Sequence, residues 1–158
     1  VQNSPRPSGF VPESTFSGAS SMADSPRRMV ELPNGHRRLD TGSHWESRMG
    51  YSRAVQAGPL VTVAGCVGLE SDGTYSSSLV DQTRRCLERI EDALAAFDLD
   101  LTHVIKVRIY TTDISRWEEI AMVMGPTFGE IRPANLLVEV SALVEDAMVE
   151  IEVEAWRG

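Results

Sequence analysis

Carboxylates recur at every second position near the end of the chain, in the stretch "MVEIEVEAWRG". If this stretch is extended, Glu150, Glu152 and Glu154 share one face of a strand. A carboxylate in a cleft can position a water molecule or take a proton from it. The same row can also be neutralised by Lys106 and Arg108, which alternate in the same way. The residues alone leave both interpretations open.

Other residue types that often carry catalysis form no recognisable site. His36, His44 and His103 lack the spacing that chelates a metal ion. Cys66 has no base placed near it by any motif, and we expect Cys66 and Cys86 to be buried thiols rather than a disulfide. The loops contain no glycine-rich phosphate-binding motif. We therefore expect neither a metal nor a cofactor.

The composition argues against nucleic-acid and membrane partners. The chain has 158 residues, with 15 Lys and Arg against 23 Asp and Glu, and a formal net charge of −8. Proteins that bind nucleic acid neutralise phosphates with clustered basic residues, which this chain lacks. No apolar stretch approaches the roughly 20 residues that span a bilayer, and the first residues lack the apolar core of a signal peptide. We expect a cytoplasmic protein.

The chain divides into two parts that differ in composition and in hydrophobic periodicity. Residues 1–35 are rich in Ser, Pro and Gly and show no periodicity, which predicts a disordered N-terminal tail. Residues 36–158 alternate strand and helix patterns and predict one folded domain.

The predicted order of elements is β-β-α-β-α-β-β. The stretch "YSRAVQAGPLVTVAG" predicts a hairpin with its turn at 57–59. Ser78 and Ser115 are predicted N-caps of two amphipathic helices, the second kinked or shortened at Gly125 and Pro126. The stretches "THVIKVRIYTTD", "ANLLVEVSAL" and "AMVEIEVEAW" predict three more strands, and a further strand near Arg38 is an alternative.

Two helices packed against one sheet cover only one of its faces. By alternation we assign the helix-facing rows to Ile105, Val107 and Ile109, to Leu136, Val138 and Val140, and to Val149, Ile151 and Val153. The opposite rows mix the carboxylates, Lys106 and Arg108 with Asn135, Leu137, Tyr110 and Trp156. A face that combines paired charge with bulky apolar residues is typical of a subunit interface. This predicts an oligomer, with a solvated charged face as the alternative.

Several stretches resemble the Rid proteins, also called the YjgF family. "RPANLLVEVSALVEDAMVEIEVEA" is similar to the family's C-terminal signature of Pro-Ala-Arg, a Val-Glu-Val strand and a Val-Glu-Ile-Glu strand. "GYSRAV", "VAG" and "KVRIYTTDISRWEEI" resemble its first strands and its strand-to-helix crossing. The resemblance covers roughly residues 37–158. It implies a chorismate-mutase-like α+β fold, a mixed sheet with two helices on one face, and a homotrimer with ligand pockets between subunits.

The resemblance also implies site residues. In deaminating members, an arginine after Pro-Ala holds the carboxylate of a 2-imino acid, and a glutamate of the last strand positions the attacking water. On this chain the glutamate is Glu150, the tyrosine of the first strand is Tyr51, and the small residue after the second strand is Gly65. The arginine falls on Asn135.

The asparagine changes what this position can bind. A guanidinium presents a permanent charge and a two-pronged donor to a carboxylate, whereas an amide is neutral. Hydrogen bonds to charged groups contribute about 1.5–3 kcal/mol each and neutral ones about 1, so the loss of a two-pronged charged contact should weaken carboxylate binding at least tenfold. Leu137 and Cys66 also depart from the family pattern and make the pocket more apolar. Arg53 could supply the missing charge from the strand of Tyr51, although an ion-paired surface arginine is the commoner case.

Two functions follow from these residues. The first is a small-molecule-binding homotrimer that is not a standard 2-imino acid deaminase. The alternative is an active deaminase or hydrolase for an imine, an enamine or another small carbonyl-type metabolite, with Glu150 positioning water. The family's older label of endoribonuclease or translation inhibitor fits poorly with the acidic composition.

Overall fold

The computed structural model of the protein describes residues 27–158, so most of the predicted tail, residues 1–26, lies outside the described part. Strand β1 (Arg28–Glu31) pairs with β2 (Arg37–Asp40) in an antiparallel hairpin. Strand β1 falls within segment 1–35, for which the sequence predicts no regular structure. Four residues are too few to show a periodicity, and the pairing with β2 is what makes them a strand.

One mixed sheet of seven strands forms the centre of the fold. Its other strands are β3 (Ala54–Ala57), β4 (Leu60–Val67), β5 (Val104–Thr111), β6 (Ala134–Glu139) and β7 (Val149–Trp156). The strand order is β1-β2-β3-β4-β7-β5-β6. The pair β5–β6 is parallel and the other pairs are antiparallel. The predicted hairpin is confirmed as β3 and β4.

Three helices accompany the sheet: α1 (His44–Met49), α2 (Leu79–Ala95) and α3 (Trp117–Phe128). The long helices α2 and α3 contribute to the same buried core as the strands, which confirms the α+β class. The predicted cap of α2 is also confirmed, because the Ser78 hydroxyl accepts a hydrogen bond from the Asp81 amide. Within residues 27–158, no helix has the length and apolarity needed to cross a membrane.

The start of α3 differs from the prediction. Asp113, and not Ser115, accepts the capping hydrogen bond, and a short 3₁₀ turn precedes the helix. Trp117 is the first residue of α3, and 51% of its surface is exposed. The helix includes Pro126, which lacks the amide that would donate to the carbonyl four residues earlier, and it ends two residues later at Phe128.

The side-chain rows of two strands also differ from the prediction. In β5 the register shifts between Val104 and Lys106, so that Val104 is buried and Ile105 is 46% exposed. In β6 the pairing with β5 sets Asn135 and Leu137 on the helix side of the sheet, which reverses our assignment. Both rows of β6 contain apolar residues, so alternation alone does not reveal which row faces the helices.

The opposite face of the sheet carries the predicted cross-strand ion pairs in part. Arg108 donates to Glu152 at 3.2 Å and to Glu154 at 2.7 Å, and the Tyr110 hydroxyl donates to Glu152 at 3.3 Å. Glu139 does not join this network, because its carboxylate accepts from a backbone amide at the start of the 3₁₀ turn. We refer to this side of the sheet as the open face.

Candidate functional site

A bulge in β4 shapes the sheet beside the predicted catalytic strand. Val63 pairs with Val153 and Cys66 pairs with Ile151, so two residues of β4 lie opposite the single residue Glu152. These two residues are Ala64 and Gly65, one more than regular pairing would allow. A bulge of this kind bends its strand and redirects backbone groups, and bulges are common beside functional sites.

Glu150 lies against this bulge on the open face. Its carboxylate is so close to Gly65 that a β-carbon there would be 1.9 Å from Oε1. Among residues 27–158, no hydrogen bond or ion pair to the Glu150 carboxylate is found, although the neighbouring glutamates of β7 are paired. Burial raises the pKa of Glu150, the positive charge of Arg53 lowers it, and the charge of Glu152 raises it further. The carboxylate is therefore free to bind water or a ligand.

Arg53 is not the ion-paired surface residue that we considered more common. The residue is only 7% exposed, and its Nη1 donates to the carbonyls of Ala64 at 3.2 Å and Gly65 at 2.7 Å. The same nitrogen lies 3.3 Å from Sγ of Cys66, and Nη2 donates to the Tyr51 hydroxyl at 3.2 Å. The guanidinium thus joins Tyr51 to the bulge.

The short helix α1 positions Tyr51, which follows the C-terminal end of that helix. The Glu46 carboxylate, which is buried, accepts hydrogen bonds from the amides of Thr41 and Gly42 and orders the segment before the helix. Gly50 then ends α1 in the left-handed conformation that favours glycine, at φ 70°. Sequence reasoning missed Glu46, although the Ser-x-x-Glu spacing at 43–46 is a recognised helix-start signal.

Cys66 lies in the core and not on an open surface. It is fully buried, and burial raises the pKa of its thiol while the charge of Arg53 lowers it. Cys86 on α2 is also fully buried, and its pKa is raised in the same way. Neither thiol is disulfide-bonded, as the sequence predicts. A raised pKa and burial disfavour the thiolate, which is the nucleophilic form.

Asn135 and Leu137 lie on the edge strand β6, away from Glu150. The parallel register places Asn135 beside Val107 and Leu137 beside Ile109, both of which face the helices. Asn135 is exposed and lines a shallow cavity of about 250 Å³. The rest of the cavity is lined by α3 and by the segment that connects α3 to β6. These residues are Ala121, Met124, Gly125, Phe128, Gly129, Arg132 and Pro133.

The predicted site residues therefore form two separate groups in this chain. Tyr51, Arg53, Gly65 and Glu150 meet at the bulge, whereas Asn135 lies across β5 on the other face of the sheet. Among the residues that the structure describes, no three His, Cys, Asp or Glu side chains are grouped so as to hold a metal ion.

Gln82 is a second residue that sequence reasoning missed. It is 1% exposed on α2, where its side-chain amide donates to the carbonyls of Ser76 and Asp146 and accepts from the amide of Met148. Gln82 thereby attaches the segment before β7 to α2 and helps to place Glu150. A polar residue in a helical pattern gives no sign of this role, because its partners are far away in the sequence.

Comparison with known proteins identifies the family. The family model described as endoribonuclease L-PSP matches residues 41–156. A RutC family protein from Pyrococcus horikoshii is 36% identical over 109 residues, which are 68% of this chain and 86% of the relative. The chloroplastic Reactive Intermediate Deaminase A of Arabidopsis thaliana is 32% identical over 104 residues, 65% of this chain and 56% of the relative.

Two solved structures have the same fold. A member of the YjgF/YER057c/UK114 family from Mycobacterium tuberculosis has a TM-score of 0.71 at 45% identity and covers 77% of this chain and 98% of its own. TdcF from E. coli, solved with bound serine, has a TM-score of 0.65 at 28% identity and covers 68% of this chain and 88% of its own. By family model, sequence and structure, this chain belongs to the Rid family, also named YjgF or UK114, whose model is described as endoribonuclease L-PSP.

Proposed function

We propose that this chain is a homotrimer that binds a small metabolite in clefts between its subunits and is not a standard 2-imino acid deaminase. The observation that carries the proposal is Asn135. It stands where the family resemblance places the carboxylate-binding arginine, and it is exposed at the rim of a cavity.

A site shared between subunits accounts for the separation of the two groups. Glu150 on the open face and Asn135 on the helix side of the edge strand do not meet within one protomer. The open face also holds apolar surface beside its ion pairs, with Leu136 43% and Trp156 49% exposed. A second copy packed on this face would bury that surface and bring its own residues to the bulge of the first.

The chemistry of Asn135 limits the ligand. A neutral amide can donate to carbonyls or hydroxyls and accept from donors, but it does not neutralise the charge of a desolvated carboxylate. The preferred ligand is therefore a small polar molecule without a carboxylate at this end. One solved relative, TdcF from E. coli, contains bound serine, which supports a ligand of that size.

A second candidate function is hydrolysis of an imine or enamine that lacks the carboxylate. It is favoured by the Glu150 carboxylate, which is partly buried, unpaired among the described residues, and close to the backbone of the bulge. A carboxylate in that state can accept a proton from a water that attacks the carbon–nitrogen double bond. Ammonia release from a neutral enamine would measure this activity, and Glu150→Gln should abolish it.

The main experiment generates 2-imino acids in situ with an amino-acid oxidase and traps them with semicarbazide. We expect the native protein to leave the amount of trapped product unchanged and Asn135→Arg to lower it. Asn135→Lys is the matched control, because it adds the charge without the two-pronged donor and should gain less. Adding Glu150→Gln to Asn135→Arg should remove the gain.

Two outcomes would contradict the proposal. Clear activity of the native protein would show that Asn135 does not prevent 2-imino acid chemistry. A correctly assembled Asn135→Arg protein without activity would show that the arginine is not what is missing.

A further inference from the structure

Strand β4 extends beyond the point where its pairing with β3 ends. Strand β3 pairs with β4 only as far as Ala54 opposite Val63, so the residues of β4 after Val63 have no strand partner on that side. Backbone carbonyls that are left without a partner in a partly buried place are costly. In this protein arginine side chains bind them: Arg53 at Ala64 and Gly65, and Arg89 at Val67.

Arg53 is the arginine of this set that also touches the predicted site. It binds the Gly65 carbonyl at 2.7 Å, and the Glu150 carboxylate occupies the space where a side chain of Gly65 would begin. The two charged groups therefore flank the same residue from two directions. They are nevertheless not in an ion pair, since no nitrogen of Arg53 lies within 4.0 Å of a carboxylate oxygen in the part of the chain that the structure describes.

We propose that Arg53 is a positioning residue for Glu150: its guanidinium holds the bulge at Ala64 and Gly65 against which the Glu150 carboxylate lies. The planar guanidinium suits this role because it binds two adjacent carbonyls from one nitrogen and the Tyr51 hydroxyl from the other. A lysine in its place would keep the charge but would lose this fixed geometry.

The charge of Arg53 has a second consequence for Glu150. Burial and the charge of Glu152 both favour the protonated carboxyl, and Arg53 opposes them. Three other titratable groups lie near Glu150: Tyr110, which is opposite Glu150 on β5, Cys66 on β4 and Cys86 on α2. The negative charge of Glu150 raises the pKa of each of them. None of these three is a cation at neutral pH, so the positive charge that opposes protonation of Glu150 is that of Arg53.

The inference deepens the proposed role of Glu150, but its test reads the carboxylate itself and not a reaction. The side-chain carboxyl carbon of Glu150 is followed by carbon-13 NMR as the pH is changed, with the signal assigned by its loss in Glu150→Gln. Removing the cation in Arg53→Gln should raise the titration midpoint by about one pH unit. The matched control is Arg85→Gln, which removes another guanidinium-to-carbonyl hydrogen bond, at Leu69, and should leave the midpoint unchanged.

A second measurement separates positioning from charge. The Ala64 amide donates to the Arg53 carbonyl at 2.9 Å, so its hydrogen exchange reports how firmly the bulge is held. Arg53→Lys should leave the Glu150 midpoint close to that of the native protein while the Ala64 amide exchanges at least tenfold faster.

Either of two results would overturn the inference. One is a midpoint in folded Arg53→Gln that matches the Arg85→Gln control. The other, which decides the matter if Arg53→Gln does not fold, is native-like exchange of the Ala64 amide in Arg53→Lys. If the midpoint and exchange change as expected but no ligand or activity is found, the positioning role stands and only the proposed function fails.

Discussion

Replacing Gly65 by alanine tests the contact on which the candidate site depends. A β-carbon at this position would lie 1.9 Å from Oε1 and 2.8 Å from Cδ of Glu150. Ordinary contact begins near 3.4 Å, so the carboxylate oxygen must move by at least about 1.5 Å. The φ angle of Gly65 is not in the left-handed region, so alanine meets no backbone penalty there and the conflict is one of space alone.

The expected free-energy change has two parts of opposite sign. Overpacking against Glu150 should destabilise the protein by about 1–3 kcal/mol. The lower conformational entropy of alanine in the unfolded chain should stabilise it by about 0.4–1 kcal/mol. Because the obstacle is the end of a flexible side chain, we expect an overpacking cost near its lower limit of about 1 kcal/mol and hence a net loss of at most about 0.6 kcal/mol, with the carboxylate displaced from its native position.

A double-mutant cycle with Glu150→Ala isolates the contact. In that background Gly65→Ala should become neutral or slightly stabilising, because the side chain that it meets is gone. The control is Gly68→Ala, whose β-carbon would be 2.6 Å from Cα of Gln82, a backbone atom that cannot swing away. Gly68→Ala should cost the same with and without Glu150.

Urea unfolding at one fixed protein concentration measures each free energy, since the stability of an oligomer depends on concentration. Equal costs of Gly65→Ala in the native and Glu150→Ala backgrounds would refute the placement of the carboxylate over Gly65.

Three further predictions concern the surroundings of the site. Burial raises the folded-state pKa of Glu150, so ionisation of this carboxyl should reduce the stability of the protein as the pH rises from the unfolded-state pKa through the folded-state pKa. Glu150→Gln should therefore stabilise the protein more at pH 7 than at pH 4. Urea midpoints that shift equally at the two pH values would contradict this. Gln82→Leu should lower the free energy of unfolding by about 1–3 kcal/mol, because it removes the hydrogen bonds of the buried Gln82 side chain and leaves the Met148 amide without this partner; a cost below about 1 kcal/mol would argue against that role. If the proposed trimer forms through the open face, Leu136→Lys should yield a monomer in light scattering, whereas Met122→Lys on α3 should not. A monomeric native protein would remove the shared site altogether.

The fold was predictable because its signals are local. The Ser78 cap, the apolar stripe of α2 and the turn at 57–59 each depend on neighbours within a few residues, and all three agree with the structure. Strand β1 was not predictable in this way, because its four residues become a strand only by pairing with β2.

The same distinction between local and long-range information applies to the candidate site. Its residue types at Tyr51, Gly65, Asn135 and Glu150 follow from the family pattern in the sequence, and so does the departure at Asn135. The face on which Asn135 lies does not, because a period of two fits either face until the register with β5 is known.

The sequence by itself determined the family, the order of the central elements and the chemical character of position 135. Only the tertiary structure decided that Arg53 is buried beneath a bulge and that Glu150 lies over Gly65 without a partner among the described residues. The physical reason is that hydrogen bonding, burial and charge at a site depend on groups far apart in the chain, here from residue 53 to residue 150. A sequence pattern identifies the residue types of the site, but it does not give the distances between their side chains.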